Sequence, residues 1–65
     1  MTRIKRTVVA SGVIGLYDHE WKITRVYDIK LDSEFYTLEI NKGYYFETCD
    51  SIVEALSLLV ENFKE

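Results

Sequence analysis

Proline is absent from this 65-residue chain, glycine occurs three times, and cysteine, histidine and tryptophan occur once each. With no proline and so little glycine there is no linker, repeat or low-complexity segment, and every stretch is committed to a structural element. A single thiol cannot close an internal disulfide. Cys49 and His19 together leave a tetrahedral zinc site two ligands short. Domains this small usually draw on disulfides, a structural metal or oligomerisation, and only the last is left open; no cofactor is expected. Long hydrophobic runs are also missing. Residues 8–16 follow Arg3, Lys5 and Arg6 much as the apolar region of a signal peptide follows its charged start, but Ser11, Gly12 and Gly15 interrupt a run far too short for a bilayer. Its removal would delete a strand from a minimal domain. We therefore expect a cytoplasmic protein, with a thiol suited to a reducing compartment, and the initiating methionine reads as the start of a complete gene product.

What is present favours folding. Apolar residues make up 48% of the chain and aromatics 14%, too much hydrophobic material for a disordered segment. The formal net charge is −3, unevenly spread. Residues 1–6 hold three basic groups and no acid, which leaves five basic against eleven acidic groups in residues 7–65. A basic N-terminal arm over residues 1–6 thus precedes an acidic body.

The periodicity predicts an α+β fold in one domain: a four-stranded antiparallel β-meander over residues 7–48, and one C-terminal amphipathic helix over 51–64 packed on one face. β-branched residues mark a strand over 7–17, with Ser11-Gly12 as a bend or bulge and Asp18-His19-Glu20 as the turn. From 21 to 31, Trp21, Ile23, Tyr27, Ile29 and Leu31 alternate with Lys22, Thr24, Asp28 and Lys30. Asp32-Ser33-Glu34 turns the chain into a third strand over 35–40. Asn41-Lys42-Gly43 then forms a hairpin connection in which Gly43 takes positive φ, leading to a fourth strand over 44–48. Ser51 and Glu54 fit a capping box. Beyond it, Ile52, Ala55, Leu56, Leu59 and Phe63 share a helix face, and Val53, Leu58 and Val60 widen the apolar arc.

A helix following four antiparallel strands covers one sheet face. The expected core joins Trp21, Ile23, Ile29, Leu31, Tyr36, Leu38, Ile40, Tyr44 and Phe46 to Ile52, Leu56, Leu59 and Phe63. The other face then carries Lys22, Thr24, Val26, Phe35, Thr37, Glu39, Tyr45 and Glu47.

Candidate chemistry is sparse. His19 with Cys49 or a serine is the one nucleophile-base pairing the composition permits, and His19 sits in an acidic turn where an exposed imidazole needs no special role. Cys49 at a strand-helix junction stands where a helix N-terminus can favour the thiolate, but a small buried cysteine is the commoner reading. The carboxylate pairs Asp18/Glu20, Asp32/Glu34 and Asp50/Glu54 fall at turns or at the helix start, where acids cap and solubilise. No phosphate loop, calcium loop, zinc-protease pattern or dinucleotide fingerprint occurs. The chain is not expected to be an enzyme.

Two resemblances lie in the C-terminal third. The run Tyr45-Phe46-Glu47-Thr48-Cys49-Asp50-Ser51-Ile52-Val53-Glu54-Ala55-Leu56 resembles the end of the strand-strand-strand-helix arm-binding domains of tyrosine recombinases, which are basic where this chain is acidic; that resemblance implies DNA binding. The segment from Asp50 to Leu56 resembles the helix start of HicB-type antitoxins, with Cys49 where that family carries glycine. This second resemblance implies a small sheet protein that binds a partner toxin.

The expected function is a non-catalytic protein-binding module, a regulator or inhibitor that occupies a partner's surface, with acidity suited to a basic or nucleic-acid-binding protein. Compact acidic decoys of this kind are common among phage and mobile-element proteins. The expected contact surface is Arg25, Val26, Phe35, Thr37 and Tyr45 on the open sheet face, with Val53 and Leu58 at the helix flank; the same residues making a homodimer is the competing reading. The alternative function is a nucleic-acid-binding accessory domain that uses Arg3, Lys5 and Arg6 as an arm and stacks bases on Phe35 and Tyr45 beside Lys22 and Arg25. No membrane contact is expected.

Overall fold

The computed structural model describes residues 3–62. Strands β1 (Ile4–Ile14), β2 (His19–Asp28), β3 (Ser33–Ile40) and β4 (Tyr45–Cys49) form one antiparallel sheet in the order β1-β2-β3-β4, and helix α1 (Ile52–Asn62) packs on one side of it. This is the expected α+β meander. No helix among the described residues is long and apolar enough to cross a membrane.

Short hairpin loops join the strands. Asp18 and Asp32 close the first two in the left-handed region, at φ 53° and 50°, which aspartate tolerates because its short side chain bonds locally. The third takes positive φ at Asn41 and Lys42 as well as at Gly43, where φ is 101°. The first two loops, residues 15–18 and 29–32, fall before their expected places, and the third, residues 41–44, starts where expected and includes Tyr44 as well, so the strand bounds move. β1 begins at Ile4 and ends at Ile14, β2 stops at Asp28, and β4 begins at Tyr45. Ile29 and Leu31, expected in the core, are exposed in the second loop because the strand has ended before them.

Directly opposed residues on neighbouring strands share a face. The pairs Trp21–Ile40, Ile23–Leu38 and Arg25–Tyr36, followed by Ile40–Tyr45, Leu38–Glu47 and Tyr36–Cys49, define the helix side. The core there is Ile23, Leu38, Ile40, Cys49, Ala55 and Leu59, with Ala10, Ile14, Trp21, Tyr36, Tyr45 and Leu58 packed against it. Strand β4 therefore has the opposite phase to the expected one. Tyr44 lies exposed in the loop and Phe46 is 60% exposed on the other face, while Tyr45 and Cys49 point toward the helix.

The helix starts as its sequence predicts. The Ser51 hydroxyl accepts from the Glu54 amide at 3.1 Å, and Glu54 accepts from the Asp50 amide at 3.0 Å, one residue earlier than the usual box. Ala55 and Leu59 are its buried residues, whereas Leu56 is partly exposed. Phe63 and Lys64, expected within the helix, lie outside the described residues.

Residues 4–6, expected in a basic arm, are instead paired in β1: Ile4 opposes Asp28, Lys5 opposes Tyr27 and Arg6 opposes Val26. Arg3 is anchored too, its guanidinium bridging to the Asp28 carboxylate at 3.0 Å. The irregularity expected at Ser11-Gly12 falls at Val9, where the β1–β2 register shifts between Val8 and Ala10. Gly12 remains regular strand opposite Trp21.

Candidate interaction surface

The sheet face away from the helix is built from cross-strand rows. One row runs Arg6, Val26, Phe35; the next runs Val8, Thr24, Thr37, Thr48; the third runs Ser11, Lys22, Glu39, Phe46. Twist curls these rows into a concavity of about 420 Å³. Val26 lies at its floor and is only 4% exposed although no element among the described residues covers it, and Thr37 is buried beside it. Phe35 and Phe46 line the concavity as partly exposed rings, with Arg6 and Lys22 at its polar margin. Lys22 leans toward Glu39 at 3.8 Å, a loose ion pair that leaves both groups available to solvent.

This arrangement corrects the expected contact surface. Of its seven residues, Val26, Phe35 and Thr37 do come together on the open face. Arg25 and Tyr45 lie on the opposite side, Arg25 opposing Tyr36 and Tyr45 opposing Ile40. Arg25 stays solvated there because the helix packs chiefly on β3 and β4; it pairs with Glu34 and its guanidinium lies 5.7 Å from the Tyr27 ring centroid. The Glu34 carboxylate raises the Arg25 pKa further above its already high ordinary value. Tyr45 packs on the core, and its hydroxyl accepts from the Asn62 amide at 3.3 Å. Val53 is exposed, but on the helix, and Leu58 packs inward on the core.

The base-stacking platform of Phe35 and Tyr45 with Lys22 and Arg25 is split in the same way, two residues to each face. The basic trio is also divided. Lys5 sits on the helix side, Arg6 on the open side, and Arg3 is bound to Asp28.

Sequence reasoning missed Phe46, Thr48 and Arg6 as parts of the concavity. The signal that could have placed the first two was the loop, since a four-residue connection from Asn41 to Tyr44 sets Tyr45 opposite Ile40 and sends Phe46 outward.

The two candidate nucleophilic-site residues lie apart. His19 begins β2, while Cys49 occupies the row of Tyr36 and Arg25, six residues further along the sheet and so about 20 Å away at 3.3 Å per residue. His19 Nδ1 lies 2.8 Å from the Asn41 amide nitrogen. Burial is the main cause pushing the Cys49 thiol pKa up, and the carboxylates of Glu54, Glu47 and Asp50 add to it. The helix start does not favour a thiolate here. Among the described residues no group of three or more histidine, cysteine or carboxylate side chains is placed to hold a metal ion.

No protein-family model matches the chain, and comparison with curated proteins and with solved structures gives no significant match to either.

Proposed function

We propose that the protein is a non-catalytic binding module, a small regulator or inhibitor that seats an apolar element of a partner protein in the concavity of its open sheet face. The observation that carries this reading is the exposure of Phe35 and Phe46 around a floor of Val26 and Thr37 on the side of the sheet that no element among the described residues covers. Exposed aromatic rings over a preformed floor are the usual anchors of a protein interface, because they bury large area at small conformational cost. Arg6 and Lys22 orient the partner at the margin. The acidic excess of residues 7–65, with Asp18 and Glu20 near one end of the sheet and Asp32 and Glu34 near the other, favours a partner whose flanks are basic, including a protein that itself binds nucleic acid.

The test is capture of partners on immobilised full-length chain, with nuclease, using wild type and a double Phe35→Glu, Phe46→Glu variant. Both substitutions fall on exposed rings, so the variant should keep its circular dichroism and melting curve. A protein retained in near-equal amount by wild type and lost by the variant supports the reading. Equal retention by both removes the concavity from the interface. The nucleic-acid reading, with its arm built into β1, instead requires a salt-sensitive affinity for DNA that falls when Lys5 and Arg6 are neutralised.

A further inference from the structure

The concavity is one unpartnered surface; the outer edge of β1 is another. At eleven residues β1 is the longest strand, and its outer side pairs with nothing among the described residues. Natural edge strands are protected by brevity, proline, charge or cover. Here residues 7–14 carry no charge and no proline, and Val8 and Val13 are 53% and 58% exposed. The one defence, the bulge at Val9, has a second effect. It places Arg6, Val8, Ser11 and Val13 all on the open face, and Lys5, Thr7, Ala10, Gly12 and Ile14 all on the helix face.

We infer that two copies of the chain associate by antiparallel pairing of their β1 edges, Arg6 opposite Val13 and Val8 opposite Ser11, into one continuous sheet. Charge selects this occupant. Each edge is basic at its start, with Lys5 and Arg6, and acidic beyond its end, with Asp18 and Glu20, so it complements itself only when the second strand runs the other way. Parallel pairing would stack the basic groups together.

The register follows from the bulge. Residues directly opposed must share a face, and any pairing that centres on Val9 sets Val8 of the open face against Ala10 of the helix face. Shifting by one residue opposes Arg6 to Val13, Val8 to Ser11, Thr7 to Gly12 and Lys5 to Ile14, each pair on a common face and nearly the whole strand overlapped. Val13 already neighbours Glu20 on β2. Arg6 of the second copy therefore comes to lie two strand spacings from Glu20, about 9.6 Å between backbones, which an arginine and a glutamate reaching toward each other can span. Neither group has an ion-pair partner among the described residues.

The two-fold axis of such a pair stands perpendicular to the sheet, so both helices lie on one side and both concavities on the other. This inference does not depend on the proposed partner. It also supplies the oligomeric support that suits a chain of this size with one thiol and, among the described residues, no group of side chains placed to hold a metal ion.

Sedimentation velocity of the full chain over a concentration series tests it. A species of twice the 7.7 kDa chain mass is expected. Arg6→Glu and Glu20→Arg should each weaken association by roughly tenfold, since the symmetry turns two attractions into two repulsions. Combining them should restore it. Circular dichroism and Trp21 emission of the two single variants should match wild type, as both positions are exposed. The Phe35→Glu, Phe46→Glu variant should dimerise normally, whatever it does to partner capture. A monomer at every concentration overturns the inference, as does a dimer that the single reversals leave untouched, that the combination fails to rescue, or that the Phe35/Phe46 variant abolishes.

Discussion

The indole of Trp21 lies over Gly12. The two residues oppose each other across β1 and β2, and a methyl group built on Gly12 would meet the ring atoms Cζ2, Cε2 and Nε1 at 3.0, 3.1 and 3.2 Å. Glycine here is a seat for an aromatic ring, and the strand stays regular through it. Alanine would gain from a less flexible unfolded chain, by about 0.5–1 kcal/mol, but would push on a ring that packs against the core, and overpacking costs about 1–3 kcal/mol. The expected result for Gly12→Ala is a net loss of about 1 kcal/mol in urea unfolding, with a shift in tryptophan emission. A more stable variant with unchanged emission would show that the ring does not rest there.

Leu38 sits at the centre of the sheet, fully buried between Ile23 on β2 and the helix side of β4. Leu38→Ala removes transfer energy and leaves a cavity, together worth about 2–5 kcal/mol. For a chain of this length the whole stability is on the order of 3–10 kcal/mol. The variant should therefore be partly or wholly unfolded at room temperature by circular dichroism. Val60→Ala, at an exposed position of the helix, should change stability by no more than about 0.5 kcal/mol. Equal effects from the two substitutions would contradict the core as drawn.

Strands β2 and β3 were legible from the stretches where polar and apolar residues alternate cleanly: Trp21 and Ile23 against Lys22 and Thr24, Leu38 and Ile40 against Thr37 and Glu39. The helix start was legible from Ser51 and Glu54 because capping chemistry is local. Strand β4 was not. Tyr44, Tyr45 and Phe46 are three aromatics in a row and carry no period-two signal, so their phase rests on loop length, which three successive positive-φ residues set. Arg25 was misplaced because Arg25 and Val26 invert the alternation of β2, putting a charge on the helix side and a valine on the open side; the helix packs chiefly on β3 and β4, and Arg25 stays solvated beside Glu34. The basic residues at the start of β1 read as an arm because their partners on β2 lie twenty or more residues away, and no local pattern reports the pairing. The candidate concavity was half legible for the same two reasons, its β2 and β3 residues found and its β1 and β4 residues missed.

Cys49 is 1% exposed, and burial together with Glu54, Glu47 and Asp50 raises its thiol pKa. A thiol in that state reacts only when the strand-helix junction opens. Labelling by a neutral disulfide reagent should be slow in the native protein and complete in urea. Glu54→Gln removes one of the nearby charges yet keeps an acceptor for the Asp50 amide, so native labelling should stay slow, because burial dominates. Fast native labelling of the wild-type chain would mean that the junction is open to solvent.

Asp28 holds the end of the first hairpin together. Its carboxylate accepts from Arg3 Nε at 3.1 and 3.2 Å and from the amides of Lys30 and Leu31 at 3.0 and 3.1 Å, so one side chain ties β1 to β2 and shapes the following loop. The Arg3 hydrogen bond is the main cause holding the Asp28 pKa below the ordinary aspartate value, with the loop amides and the Arg3 charge adding to it and partial burial opposing. A carboxyl whose folded pKa lies below its unfolded one contributes stability in full above the unfolded value, about 3.9, and loses it as pH falls through the lower folded value. Asp28→Asn can still accept from the two loop amides but lacks the charge that Arg3 pairs with. Wild type should therefore melt above Asp28→Asn at neutral pH, and the gap should close as the solution is taken below the aspartate range. A gap of constant size across that acid range would show that another carboxyl carries the acid sensitivity of the fold.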